Sequence, residues 1–274
     1  MTEKTAIVTG ASAGVGKQAA RQLLVLGWRV IGVGREAVRC AAAEAELAAR
    51  RFTMLRADLS LMADVARLAD EILALTPRID ALCNNAGGVV AERRTTVEGF
   101  EQTFASNHLA PFLLTRKLLP ALGPGARVIA VSSTGHEQCP RINWDDLNFA
   151  EGWASGKAYC QAKLANILFT RELARRYGPQ GLIAHAMHPG VVDSNFASHC
   201  EPGMQAYMGS IKDRAVSAEV PARTLVWLAS GAEPAAITGR YFYDMAEAQC
   251  SAAAQDDAAA ARLWDLSESL VVGY

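Results

Sequence analysis

The chain has 274 residues, of which 51% are hydrophobic and 20% charged, with a formal net charge of −1. This length suits one large domain or two small ones, and the balanced charge offers no basic footprint for nucleic acid. No run of about 18 apolar residues is present to cross a bilayer, and the opening MTEKTAIVTG enters an apolar, strand-like run at once. Neither a signal peptide nor a membrane anchor is therefore expected. The six cysteines, Cys40, Cys83, Cys139, Cys160, Cys200 and Cys250, contain no C-x-x-C pair, and the five histidines form no ligand-spaced cluster with them. Reduced thiols in a cytoplasmic protein without a metal site are the expectation.

Short β-rich runs alternate with longer helical ones. TAIVTG reads as a buried strand, and VGKQAARQLLVLG as a helix closed by Gly27. WRVIGVG is the next strand, followed by the alanine-rich helix EAVRCAAAEAELAARR. FTMLRADL is a strand, and SLMADVARLADEILAL a helix with Ser60 as its expected N-cap. IDALCNNAG runs from strand into turn, and a helical region spans about Val97 to Leu122. ARVIAVSS, the helix around AYCQAK, LIAHAMHPG and a final helix in QDDAAAARLWDLSESLVVGY complete the pattern. Continuous apolar strands separated by helices indicate βαβ units and a parallel sheet covered on both faces. No linker divides the chain, so residues 1–274 read as one domain. Two segments interrupt the rhythm, 134–153 and roughly 193–216, and are expected to be lids or pocket walls.

TGASAGVG, between the first strand and the first helix, carries Gly10, Gly14 and Gly16. A strand that turns sharply into a helix, with backbone N–H groups free to approach a pyrophosphate, needs residues without Cβ. The second strand ends VIGVGR, with Gly34 where an NAD site carries an acid for the ribose 2′-hydroxyl, and Arg35 next. A guanidinium grips a 2′-phosphate that a carboxylate repels. NADP(H) is therefore favoured over NAD(H). In AYCQAK, Tyr159 and Lys163 stand four residues apart and share one helix face.

Taken in order, TGASAGVG, ADL with Asp58, NNAG at 84–87, SNHLAPFLLT with Asn107, VSS at 131–133, Tyr159-x-x-x-Lys163 and HPGVVDS at 188–194 carry a family likeness. The sequence resembles the short-chain dehydrogenases/reductases over nearly its whole length, and most closely their retinol dehydrogenase-like branch. The resemblance implies a single-domain, Rossmann-type, doubly wound parallel sheet of about seven strands, an α/β fold with helices on both faces. It implies cofactor contacts from Gly10, Ser12, Ala13, Gly14, Val15 and Gly16, from Arg35, from Asp58 and Leu59 near the adenine, and from Asn85, Ala86 and Gly87. Tyr159 and Lys163 join them, with Pro189, Gly190, Val192 and Ser194 near the nicotinamide amide. Tyr159 is the implied general acid/base, Ser133 the holder of the substrate oxygen, and Asn107 the residue that keeps a water in a proton relay to Lys163. Ser132 is not the implied acting serine. Two positions depart from the pattern: Ala13 replaces the usual small polar residue before Gly14, and Ala130 the usual asparagine before the serine pair. Without an N-terminal anchor, retinoid chemistry is not carried over.

A free phenol ionises near pH 10. A cationic lysine and an oxidised nicotinamide favour the phenolate, which would make Tyr159 a usable acid/base. The reading is an NADP(H)-dependent interconversion of a carbonyl and an alcohol on a small substrate, with no nucleic-acid or membrane partner. Trp144, Phe149, Trp153, Phe196, Met204, Tyr207 and Met208 make that substrate apolar if they line the pocket, and form a satellite core or subunit contact otherwise. His136 and His188 read as satisfied structural histidines. Family members pair through the helices bearing Asn107 and Tyr159, so a homodimer or homotetramer is expected. The alternatives are a catalytically silent NADP-binding sensor or scaffold, against which the intact Ser133, Tyr159 and Lys163 argue, and a nucleotide-sugar epimerase or dehydratase, which the glycine spacing and length disfavour.

Overall fold

The computed structural model describes residues 3–48, 50–193 and 200–274. Among these, eight strands form one sheet in the order β3-β2-β1-β4-β5-β6-β7-β8. They are β1 (Thr5–Thr9), β2 (Arg29–Gly34), β3 (Phe52–Arg56), β4 (Ala81–Asn84), β5 (Arg127–Val131), β6 (Ile183–Met187), β7 (Arg240–Tyr243) and β8 (Ala246–Glu247). All pairings are parallel except β7–β8, whose two-residue antiparallel partner extends the expected seven strands to eight. β1 and β4 are buried at every position, as strands covered on both faces must be.

One face carries α1 (Gly14–Val25) and α8 (Glu219–Ser230), which close a core containing Leu23, Ile129, Leu225 and Phe242. The other carries α3 (Met62–Leu75), α5 (Ala110–Leu118), α6 (Ser155–Tyr177) and α9 (Asp257–Leu270), around Ile72, Phe112, Phe169 and Trp264. α2 (Ala37–Leu47) follows β2, α4 (Gln102–Phe104) leads through a π turn at Ala105–Leu109 into α5, and α7 (Pro202–Ser210) lies between β6 and α8. Gly27 ends α1 as expected, at φ +82°, with its N–H on the Leu24 carbonyl.

Two helix starts differ from expectation. Ser60 does not cap α3, because its N–H and hydroxyl both donate to Asp58 Oδ1. The α3 N-terminus is instead satisfied from a distant loop, with the Glu98 carboxylate accepting from the N–H groups of Met62 and Ala63 at 2.8 and 2.9 Å. That role also explains why helix does not begin near Val97. The stretch before Gln102 is a turn in which Thr95 bridges Glu101, and the Glu101 carboxylate caps the start by accepting from Phe104 N–H.

α9 docks across α5 and α6. Trp264 is buried, its ring 5.0 Å from Phe112 and stacked 5.9 Å from Phe169, with the guanidiniums of Arg116 and Arg176 over it. Arg171–Asp257, Arg176–Asp265 and Arg116–Glu268 ion pairs frame the contact. The chain's own last helix thus packs along α6 and reaches α5 through Phe112 and Arg116. Any subunit pairing through those helices would have to contend with this packing.

At the centre of this contact the His108 ring, from the π turn, meets Ser267 Oγ at 2.8 Å. Burial pushes its imidazole down to about 3, against about 6.5 in an unfolded chain. Between those values the unfolded chain binds the extra proton and the folded one does not. The contribution is therefore complete above about pH 6.5 and is lost as pH falls toward 3, costing on the order of 2 kcal/mol by pH 5. His188, pushed down to about 4 by burial, acts in the same window. Denaturant melts between about pH 7 and pH 5 should show stability falling with acid, and His108→Gln, which retains a partner for Ser267, should flatten that fall. An undiminished acid slope in the variant would assign the loss to other groups.

Candidate active site

Because β1 to β6 run parallel, their C-terminal ends share one edge of the sheet. Gly10 follows β1, Arg35 β2, Asp58 β3, Asn85–Gly87 β4, Ser133 β5 and Pro189–Gly190 β6. The strand order reverses between β1 and β4, which opens the crevice where doubly wound sheets hold their ligands.

At the glycine turn, Gly10 and Gly14 adopt φ +71° and +53°, values that favour glycine. Gly16 is required for a different reason: a Cβ there would stand 2.4 Å from the Gly10 carbonyl oxygen and 2.5 Å from Asn85 Nδ2. α1 begins without a side-chain cap at Ala13 and without an acidic residue in its first turn. Its first N–H groups and the positive end of its dipole therefore suit a pyrophosphate. The departure at Ala13 accordingly leaves this end uncapped. Thr9 escaped notice in the sequence, yet it joins two loops. Its hydroxyl accepts from the N–H groups of Asn85 and Ala86, and Asn85 Nδ2 donates to its carbonyl at 2.8 Å.

At the end of β2, a Cβ on Gly34 would lie 2.6 Å from Cys40 Sγ and 3.1 Å from Ser12 Cβ. Packing thus leaves no room for an acid at that position. Arg35 is well exposed and pairs with the adjacent Glu36 at 3.3 Å. Asp58 is engaged with Ser60 through Oδ1, and its N–H donates to Asp64.

Ser133, Tyr159, Lys163 and Asn107 converge from three elements. The Ser133 hydroxyl accepts from Gly135 N–H, which leaves its own proton for the hydrogen bond with the Tyr159 phenol. Burial pushes that phenol up to about 12, and the Ser133 contact opposes the rise. Lys163 is buried at 3% exposure, and burial pushes its amine down to about 8. Its Nζ lies 5.4 Å from the Tyr159 ring centroid and donates to the Val131 carbonyl. Asn107 occupies the π turn, a distortion common at functional sites. Its Nδ2 donates to the carbonyls of Gly88 and Thr103, while its Oδ1 accepts from Gly88 N–H. Gly87 permits this approach, since a Cβ there would stand 2.5 Å from Asn107 Oδ1 and 3.0 Å from Lys163 Nζ. Ser132 points elsewhere: its hydroxyl donates to the Lys163 carbonyl.

After β6, Gly190 (φ +71°) packs against the Tyr243 ring, and Val192 bridges Val216. Ser194 and Phe196 lie outside the described residues, as do the side chains of Met204 and Tyr207. The 134–153 segment is built into the scaffold. Trp144 packs against the main core beneath the Arg262 guanidinium, Phe149 is buried, and the Trp153 indole donates to Glu101. Trp144 is thus a core contact, and Phe149 is a buried residue of the same loop.

Known proteins are similar to this chain in sequence and fold. The family model of the short chain dehydrogenases matches residues 4–205. Human retinol dehydrogenase 14 is 35% identical over 294 residues, covering 99% of this chain and 87% of its own. Human retinol dehydrogenase 13 is 36% identical, covering 98% and 84%. Among solved structures, a putative uncharacterized protein from Mycobacterium paratuberculosis superimposes with a TM-score of 0.81 at 33% identity, over 98% of this chain and 94% of that one. The Pseudomonas aeruginosa RhlG/NADP active-site complex gives 0.70 at 30% identity, over 88% and 94%. The chain therefore belongs to the short-chain dehydrogenase/reductase family, in its retinol dehydrogenase-like branch, and is a nicotinamide-dependent oxidoreductase acting on CH–OH groups.

Proposed function

We propose that the protein interconverts a carbonyl and an alcohol on a small, apolar substrate with NADP(H), using Tyr159 as general acid/base. The observation that carries this reading is the convergence of Ser133, Tyr159 and Lys163 beside an uncapped, glycine-lined helix N-terminus. The glycine turn, Asn85–Gly87 and the segment from Pro189 to Val192 would hold the cofactor, which supplies or accepts the hydride when bound. Arg35 answers the 2′-phosphate. It is the cation at the strand end where Gly34 excludes an acid, and a solved relative at 30% identity is an NADP complex.

The protein's own part is proton and charge management. In the reductive direction Tyr159 is held protonated by its burial and gives that proton to the substrate oxygen. Ser133, within hydrogen-bond reach of the same phenol, steadies the oxygen as charge develops there. The Lys163 ammonium, fixed by the Val131 carbonyl, supplies the positive field that makes the conjugate phenolate accessible in the oxidative direction. Asn107 anchors the Gly87–Gly88 turn beside Lys163 and is the candidate holder of a relaying water. Among the described residues, the thiols of Cys160 and Cys200 also act on the phenol, and burial raises both so that they are uncharged at neutral pH.

A panel of aldehydes, ketones and alcohols should be turned over with NADP(H) in preference to NAD(H). Tyr159→Phe should bind NADPH as the wild type does, by fluorescence titration, while kcat falls by about a hundredfold or more. An unchanged rate would remove Tyr159 from its role.

Arg35→Asp should shift the NADP(H)/NAD(H) ratio of kcat/KM toward NAD(H) by about 10- to 100-fold, the scale of a lost charge-assisted contact. Unaltered selectivity would reassign phosphate recognition to another group.

A further inference from the structure

We infer that His136 is a positioning residue for Ser133, and that the C-terminal segment fixes it in that role through the backbone of Ser251. The inference rests on the catalytic reading of Ser133 above and adds to it a residue outside the Ser-Tyr-Lys set.

The hydrogen bonds leave one arrangement. Ser251 N–H can only donate, and it meets His136 Nε2 at 3.1 Å. Nε2 must therefore be the acceptor, which places the ring proton on Nδ1. Nδ1 lies 2.7 Å from the Ser133 carbonyl oxygen and donates to it. The same carbonyl also accepts from His136 N–H at 3.1 Å. The turn at Thr134–Gln138 that carries Ser133 off the end of β5 is thus closed on both sides by one residue.

The ring itself has little freedom. It is fully buried, with the Tyr241 ring edge-on at 5.2 Å. Ser251 is fixed in turn, because its hydroxyl caps the following 3-10 turn by accepting from Ala254 N–H. What the arrangement controls is the direction of the Ser133 hydroxyl. With its carbonyl held, Ser133 Oγ accepts from Gly135 N–H and remains aimed at Tyr159. A Cβ built on Gly135 would be 3.4 Å from each of Ser133 Oγ, Tyr159 Cε1 and Cys160 Sγ, so a small rotation of this turn moves the hydroxyl relative to the phenol. A histidine whose tautomer is fixed by one hydrogen bond thus uses the other ring nitrogen to hold the carbonyl beside the reacting hydroxyl.

The test is a double-mutant cycle on NADPH oxidation with nonanal and benzaldehyde, comparing wild type, His136→Ala, His136→Gln, Ser133→Ala and the His136→Ala/Ser133→Ala pair. His136→Ala should lower kcat about tenfold, the scale of one displaced hydrogen bond, with little change in KM for NADPH. His136→Gln, which can donate at one end and accept at the other, should recover most of that loss. In the Ser133→Ala background, His136→Ala should cost nothing further. An equal loss in both backgrounds, or no recovery with glutamine at full folded yield, would overturn the inference. An unaffected Ser133→Ala variant would instead overturn the catalytic reading of Ser133.

A readout independent of the aldehyde is the ultraviolet titration of Tyr159 with NADP⁺ bound, taken as the difference from Tyr159→Phe. His136→Ala and Ser133→Ala should raise the midpoint alike and without addition. A midpoint unmoved in His136→Ala while Ser133→Ala raises it would count against the inference even if both aldehydes prove to be non-substrates.

Discussion

Two side-chain nitrogens from α6 converge on one carbonyl. Lys163 Nζ and Asn166 Nδ2 both donate to the Val131 oxygen, at 3.0 and 3.2 Å. One residue on, Ser132 donates through its hydroxyl to the Lys163 carbonyl and through its N–H to Met187 on the neighbouring strand. These bonds lock the register of α6 against the last residues of β5. Because Tyr159 lies one helical turn before Lys163 and Ser133 directly follows Ser132, that lock decides whether phenol and hydroxyl meet. The polar groups are buried, and each satisfied one leaves little alternative geometry at low cost. Part of the candidate catalytic geometry is therefore a by-product of satisfying buried backbone.

The same economy appears at the glycines. Gly16 admits the Gly10 carbonyl, Gly34 admits Cys40 and Ser12, and Gly87 admits Asn107 and Lys163. In each case a side chain is absent because another group already occupies its place. Gly34 shows the consequence for selectivity. Close contacts with Cys40 and Ser12 exclude an acid at that position, and in the proposed NADP(H) reading recognition of the 2′-phosphate passes to the next residue, Arg35. Glu36 pairs with that arginine in the protein alone, an exposed contact of the kind worth little in water and so little hindrance to a competing phosphate.

Much of this was legible in the sequence because it depends on local rules. β1, β2, β4 and β5 announce themselves as continuous apolar runs, and the glycine turn sits where a strand must become a helix. The spacing of Tyr159 and Lys163 needs only a helical period. The reading faltered where partners come from far along the chain. Ser60 looked like a cap until Glu98, 36 residues beyond Met62, supplied the acceptor. β7 is four residues of RYFY with exposed ends, and β8 only two, too short to register as periodic. Trp144 and Phe149 could line a pocket or fill a core on composition alone. Trp144 is placed by its packing on the core and by Arg262 from α9, a partner more than a hundred residues on.

That last dependence extends to the active centre. The C-terminal segment meets His136 through Ser251 N–H and His108 through Ser267 Oγ. His136 directly supports the turn of Ser133, and His108 adjoins Asn107 within the π turn. Both rings are buried, so neither contact is readily replaced by water. The C-terminal segment, through Ser251 before the last helix and Ser267 within it, thus lies one side chain away from two of the candidate catalytic residues. Its alanines make helix formation easy, but Trp264, Ser267 and the flanking acids determine where it docks. By that docking α6, its neighbour α5 and the turn after β5 become parts of one packed unit.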